Sequence, residues 1–537
     1  MLEAEATMRT LAWVLLAALA CGDDDLPTDA AVDAMERPDD GASTDTPEDV
    51  PDDGRPRATL TSGEVIGVID EGVHVFRSIP YAAPPVGVLR FARPEPHPGW
   101  STPLDTATTD PELACPQRSG SALVGREDCL VASVFAPADA TDAPVMVFVH
   151  GGGFSQGSGN LPLYDGVALA RRGGVVVVTF NYRVGTLGFL AGEALEEADG
   201  AAGNFGLHDQ LLALRWVREN ADAFGGDPNE VTIFGESAGA ASVGIHVASP
   251  ESAGLFARAI AQSGGGGYPT QTRAEQYTRG AELAAAMGCG LDDLACLRDP
   301  ELELATIVDA ASSGAPSGLG LPDIGPHVDG LLLPGEVFAR VRDGQANDVP
   351  WILGHNADEA TVFTATIPVP DEDAFRRVVG TVVGPSFVEP LVDLYPATEF
   401  SGSWKRAYDA LFSDIAFVCS AVALTEAASD GEPAYAYHFT RAVGPRGSFH
   451  GLELFYVFGN LDVVPGFTPS ATDRALAETL QRAWTGFART GSPDFEPGWT
   501  AYDAASPSFA ILDEPATTAT EIRSGRCAEL RDLGLVP

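Results

Sequence analysis

Two stretches of the chain hold a serine flanked by glycines at two-residue spacing: GGGFSQG, Gly151 to Gly157, and FGESAGA, Phe234 to Ala240. A serine so placed can act as a nucleophile if a tight turn between a buried strand and a helix lifts its hydroxyl above the sheet edge. With 59 glycines in 537 residues, a bare G-x-S-x-G arises by chance roughly a few tenths of a time, so the flanking elements decide. Glu230 to Phe234 reads as a short β-branched strand, and AGAASVGIHVA from Ala238 reads as a helix of small residues, which puts Ser237 at a strand-to-helix turn. Ser155 follows an equally good strand, Val145 to Val149, but SGNLPLYDG behind it is rich in turn residues and lacks helical periodicity. Ser237 is therefore the expected nucleophile.

Attack on an ester carbonyl creates an oxyanion, which needs backbone N–H donors aimed in advance. An HGGG-type loop supplies them. Gly152 and Gly153 are the expected donors, together with the N–H of Ala238; the alternative for the first stretch is an ordinary glycine turn. A serine hydroxyl also needs a histidine to take its proton and an acid to hold that histidine's tautomer, in the chain order Ser, acid, His for hydrolases with such an elbow. Of the nine histidines, His246, His327, His355, His438 and His450 follow Ser237. His246 lies in the elbow helix, His327 precedes a turn and His438 sits in the strand-like AYAYHFT. His450 occupies a glycine-rich loop before an apolar segment, where a base over the sheet edge belongs.

Such a site needs a rigid platform. Strand-like runs (VMVFVH, GVVVVTFNY, VTIFG, WILGHN, AYAYHFT) alternate with helical stretches such as DQLLALRWVRENADAF. That alternation predicts an α/β fold, a mostly parallel central sheet covered by helices on both faces. Neither a repeat nor a linker interrupts residues 57–537, which read as one long domain. The stretches after QSGGGGYP and around Asp371 to Asp414 are expected to supply a lid and pocket walls.

Several ordered blocks carry a family likeness: RSIPYAAPPVGVLRFARPEP (Arg77 to Pro96), EDCL (Glu127 to Leu130), HGGGF, NYRVGTLGFL (Asn181 to Leu190), GNFGLHDQLLALRWVRENADAFGGDPNEVTIFGESAGAAS (Gly203 to Ser242), HNADEATVF (His355 to Phe363) and HGLELFYVFG (His450 to Gly459). From Arg57 to Cys527 the chain resembles the type B carboxylesterases, the α/β-hydrolase family that also contains the cholinesterases. The resemblance implies Ser237 as nucleophile, Glu359 as the triad acid, His450 as base and Gly152, Gly153 and Ala238 as the oxyanion hole. It implies neither a cofactor nor a metal. Asp358, beside Glu359, is a second carboxylate; Glu236 matches the family's glutamate inside the elbow, in a supporting place. Two departures stand out. EDCL continues as VASVF, which alters the surroundings of Ser133, and the segment PQRSGSALVGRED has no aromatic residue to hold a cation where cholinesterases hold choline. A general carboxylic-ester hydrolase is expected in place of a cholinesterase.

The resemblance also pairs six of the seven cysteines: Cys115 with Cys129, Cys289 with Cys296, and Cys419 with Cys527. The seventh, Cys21, closes MRTLAWVLLAALACGDDD, in which an arginine precedes an apolar run too short to span a bilayer. Met8 makes a better start for this signal than Met1, whose lead is acidic. Ala18-Leu19-Ala20 before Cys21 resembles a bacterial lipoprotein cleavage box, so residues 1–21 are expected to be a signal and Cys21 a lipidated N-terminus anchoring the protein to the envelope, at the outer membrane or cell surface. The alternative is plain export, secreted or periplasmic, which leaves Cys21 without a role. Residues 22–56 are rich in Asp, Glu, Pro, Thr and Ala and nearly devoid of large apolar residues, as in a disordered acidic tether.

A formal net charge of −44 and a sequence pI near 4.3 argue against nucleic acid and anionic substrates, leaving small neutral or cationic esters. The rival readings are a non-catalytic surface protein of the same fold, and a hydrolase or acyltransferase acting on amides, carbamates or lactones through the same residues.

Overall fold

The protein is described here as a computed structural model covering residues 54–110, 112–265, 271–311, 324–464 and 466–537. The signal, Cys21 and nearly all of the tether lie outside these residues. An eleven-stranded sheet forms the centre. Starting from one edge, Val68–Asp70, Val73–Pro80, Val131–Pro137 and Val176–Phe180 pair antiparallel. From Val176–Phe180 the sheet continues in parallel through Ala143–Val149, Gly226–Glu236, Arg258–Gln262, Trp351–Asn356, Ala434–Phe439 and Phe509–Leu512, and Thr517–Ala519 closes the far edge antiparallel. Parallel strands need covering on both faces, and their sequences show why. Val145, Val147 and Val149 enter one core while Met146 and Phe148 enter the other, all fully buried.

On the first face lie the helices Phe205–Asn220 and Ala238–Ala248; on the second lies Ala471–Thr490, whose Leu476, Leu480, Trp484 and Phe487 repeat at helical spacing toward the sheet. Phe148 meets Phe234 and Phe458 there at ring separations of 4.9 and 5.0 Å. The alternation of strands and helices predicted this mostly parallel, doubly covered sheet, and it is the α/β-hydrolase fold that the family resemblance implied.

A third core joins the segment Glu359–Cys419 to the C-terminal helix Arg526–Asp532. The region expected to wall the pocket is helical here: Glu372–Val382, Val388–Leu394 and Trp404–Ser413. Among the described residues only Trp404–Ala428 is long and apolar enough to cross a membrane, but 67% of its most apolar 18-residue stretch is buried in the body, as in a core helix. Cys115 is bonded to Cys129, Cys289 to Cys296 and Cys419 to Cys527, with Cα separations of 5.0, 5.7 and 5.1 Å.

Candidate active site

Ser237 stands where the parallel strand Gly226–Glu236 meets the helix Ala238–Ala248, with φ 58° and ψ −123°. This left-handed backbone is costly for a residue with a Cβ and persists only where the surroundings fix it. Two close approaches fix it. A Cβ on Gly239 would lie 2.0 Å from the Val149 carbonyl, and one on Gly235 would lie 2.6 Å from the Gly239 backbone. The two glycines of the motif therefore let the helix turn back onto the neighbouring strand end. Ser237 N–H donates to the Gln262 carbonyl at 2.9 Å, tying the turn to the next strand as well.

The loop His150–Gly157 faces this turn across the sheet edge. His150 is buried and stacks on Tyr182 at 4.2 Å, while the Tyr182 hydroxyl donates to the His150 carbonyl. A Cβ on Gly151 would come within 3.2 Å of Ser237 Cβ, so the loop backbone abuts the nucleophile turn. Gly152 and Gly153 take φ values of 110° and 61°. Among the described residues their N–H groups donate to no acceptor, and the N–H of Ala238, first in its helix, has no intrahelical one. Ser155 is differently occupied: its hydroxyl and its N–H both turn to the Gly152 carbonyl, at 3.3 and 3.2 Å.

His450 and Glu359 come from separate loops behind the sheet's C-terminal edge. His450 Nδ1 lies 2.6 Å from Glu359 Oε2, and Glu359 Oε1 accepts the Asn356 N–H at 2.7 Å. Asp358 points elsewhere, its Oδ2 accepting the Ser448 N–H at 2.9 Å. Thus Asp358 fastens the histidine loop while Glu359 meets the histidine. The Nε2 edge of His450 lies 3.0 Å from Glu236 Oε1, off the line of a hydrogen bond. No hydrogen bond joins the Ser237 hydroxyl to His450.

Phe363 and Phe417 pack against the imidazole, with ring separations of 5.0 and 4.7 Å. Burial alone would depress the pKa of His450, but the carboxylates of Glu236 and Glu359 outweigh it and raise the pKa to about 9. Burial pushes Glu236 up to about 8, opposed by His450 and reinforced by Glu453 and Glu359. Burial likewise lifts Glu453 to about 7, helped by the charge on Glu359.

Glu453 and the two phenylalanines were not singled out from the sequence. Glu453 accepts from Gln262 Nε2 at 3.1 Å and from Asn356 Nδ2, and it stands one helical turn after His450. A signal existed for it: it is the lone charge in the apolar helix LELFYVF, Leu452–Phe458, and such a charge is buried only where partners await it. Ser133, where the sequence departs from the family pattern, accepts the Ser78 N–H at 3.1 Å and donates to Asn160 Oδ1 at 2.9 Å.

Fold and site geometry together define an α/β-hydrolase, with a serine at a strained turn, free backbone donors opposite it and a carboxylate-held imidazole beside it. The model of the carboxylesterase family matches residues 55–530. The chain is 36% identical over 489 residues to the para-nitrobenzyl esterase of Bacillus subtilis (strain 168), covering 88% of this chain and 98% of that protein. It is 38% identical over 482 residues to the fumonisin B1 esterase of Sphingopyxis macrogoltabida, covering 86% of each. A solved structure of a PNB esterase superposes with a TM-score of 0.78 at 36% identity, covering 89% of this chain and all of that one. The chain belongs to the carboxylesterase family and is a carboxylic-ester hydrolase.

Proposed function

We propose that the protein cleaves carboxylic esters through an acyl-enzyme on Ser237, with His450 as base and Glu359 as the acid that orients it. Ser237 Oγ attacks the ester carbonyl while His450 Nε2 takes its proton. The N–H groups of Gly152, Gly153 and Ala238 receive the oxyanion. The imidazolium then returns the proton to the departing alcohol, and water activated by the same imidazole releases the acid. The observation that carries this reading is the 2.6 Å contact between His450 Nδ1 and Glu359 Oε2 beside the turn at Ser237. In the neutral imidazole this contact supports the tautomer with Nδ1 protonated toward Glu359 and Nε2 free to take a proton. The bond from Ser237 to Nε2 forms on substrate binding, as catalytic hydrogen bonds tighten in the Michaelis complex.

Small neutral or cationic esters suit a chain of net charge −44. We propose further that Cys21 carries lipid and that residues 22–56 tether the enzyme to the bacterial envelope. Mutating Cys21→Ser should move the protein from the detergent phase to the aqueous phase on Triton partitioning; unchanged partitioning refutes the anchor.

The test of the chemistry is hydrolysis of p-nitrophenyl esters from acetyl to palmitoyl by the purified protein and by its Ser237→Ala and Ser155→Ala variants. Loss with the first and retention with the second is expected. Retained activity in Ser237→Ala would refute the assignment, and the chain-length profile of the wild type reports the acyl pocket.

A further inference from the structure

The long helix Trp404–Ala428 changes pitch midway. Trp404–Ser413 and Cys419–Ala428 are α-helical, while Asp414–Val418 between them forms a π-helical turn. Such a bulge gives up good hydrogen-bond geometry to insert a residue, and bulges of this kind gather at functional sites. Here the bulge supplies Phe417, which packs on His450.

One short strap from the C-terminal end grips the bulge on both sides. Arg523 Nε lies 2.8 Å from Oδ1 of Asp414, the bulge's first residue. Cys527 is bonded to Cys419, the residue just after its last. The same Arg523 guanidinium donates through Nη2 to the Ala357 carbonyl, two residues ahead of Glu359. The Arg523–Asp414 contact is an ion pair off the line of a hydrogen bond; Asp414 is fully buried and accepts its hydrogen bond from the Tyr395 hydroxyl at 2.8 Å. Arg523 itself sits at φ 58°, a left-handed backbone uncommon for a residue with a Cβ.

We infer that Arg523 is a positioning residue for ester cleavage. One planar fork holds the acid loop through Ala357 and the π turn through Asp414, and so fixes His450 between Glu359 and Phe417. This rests on the reading of Ser237, Glu359 and His450 as the catalytic groups. The fork is essential to it: a lysine carries one point charge and cannot span both partners in the same geometry. If the ion pair served only the fold, its loss would lower stability and leave turnover per folded molecule unchanged.

The experiment uses the full chain with Arg523→Lys, Arg523→Met and the double variant Asp414→Asn/Arg523→Met. The single Met variant strands a buried carboxylate and is expected to be the least stable; the double variant removes that charge. Thermal melts report folding. A fluorophosphonate probe counts reactive Ser237, with Ser237→Ala as its blank, and kcat and KM are taken per labelled site. Misplacement of the base lowers kcat per site about ten- to a hundredfold in the double variant, with Arg523→Lys between it and the wild type and KM changed less than about twofold. Wild-type kcat per site in the folded double variant overturns the inference. If the double variant does not fold, Arg523→Lys decides in the same way. Failure of the wild type to label at Ser237 overturns instead the catalytic reading beneath it.

Discussion

Replacing Glu236 with glutamine should make the enzyme work at lower pH. His450 can take the serine proton only when neutral, so kcat/KM rises with pH through the pKa of the base. That pKa is raised to about 9, with Glu236, 3.0 Å from Nε2, the foremost of the groups that oppose burial. At an effective dielectric of about 20, unit charges about 3 Å apart interact by roughly 5 kcal/mol. The realised effect is smaller, because burial lifts Glu236 itself to about 8 and leaves it mostly protonated at neutrality. A single neighbouring charge shifts a pKa by about 1–2 units, roughly 1.4–2.7 kcal/mol. Glutamine keeps the shape of the side chain and removes the charge, while Glu359 stays against Nδ1. The acid limb of kcat/KM for a p-nitrophenyl ester should therefore move down by about 1–2 units. An unmoved limb, or one moved upward, would show that Glu236 does not set the basicity of His450.

Changing Glu359→Gln leaves a bond partner for Nδ1 but permits the wrong tautomer, and should lower kcat by about 10³–10⁴-fold in the same assay. A loss under tenfold would point to another acid. Gly239→Ala sets a Cβ 2.0 Å from the Val149 carbonyl, so it should cost about 1–3 kcal/mol in urea denaturation and displace the turn that holds Ser237; unchanged stability would refute the packing account of the motif. Asp473 is buried, which opposes its charge, but bonds from Arg441 and Ser470 outweigh burial and hold its carboxyl at about 2. Because this pKa is depressed, the stabilisation is present above about pH 4 and is lost as pH falls toward about 2. Asp473→Asn should therefore cost about 2 kcal/mol near neutrality and little in acid. Equal losses at both pH values would remove electrostatics as the cause.

Ser237 was legible because everything that defines it is local. A β-branched run, two glycines and a helix of small residues state both the turn and the closeness of its neighbours. The sheet was legible for a similar reason, since strands buried on both faces read as unbroken apolar runs. His450 was reachable only through chain order and its loop, and the two carboxylates beside each other in NADEATVF could not be separated by composition. What separates them is the direction of one short 3-10 turn, Glu359–Val362, which turns Glu359 toward His450 and leaves Asp358 on the Ser448 N–H. Phe417 was invisible because a π turn inside an apolar helix has no periodic signature of its own. Its cause lies some hundred residues away, in Arg523 and Cys527.

The same distinction governs the chemistry. Glu236 and Glu359 arrive from segments distant in sequence and only the fold makes them neighbours of His450, whereas Glu453 follows it by three residues. Buried acids so close cannot all carry charge independently, and a proton added to the site is shared among His450, Glu236 and Glu453. The acid limb of activity therefore belongs to the cluster before it belongs to His450. Glu453, held through Gln262 and Asn356, ranks last among the groups that raise His450. Glu236 ranks first and faces Nε2, the nitrogen that receives the serine proton in the proposed mechanism. Its position gives it two opposed effects: it stabilises the imidazolium formed during attack, and it delays the neutral imidazole needed to begin. Which effect prevails at a given pH is set by whether Glu236 is itself protonated, which burial favours first and the charge of His450 opposes.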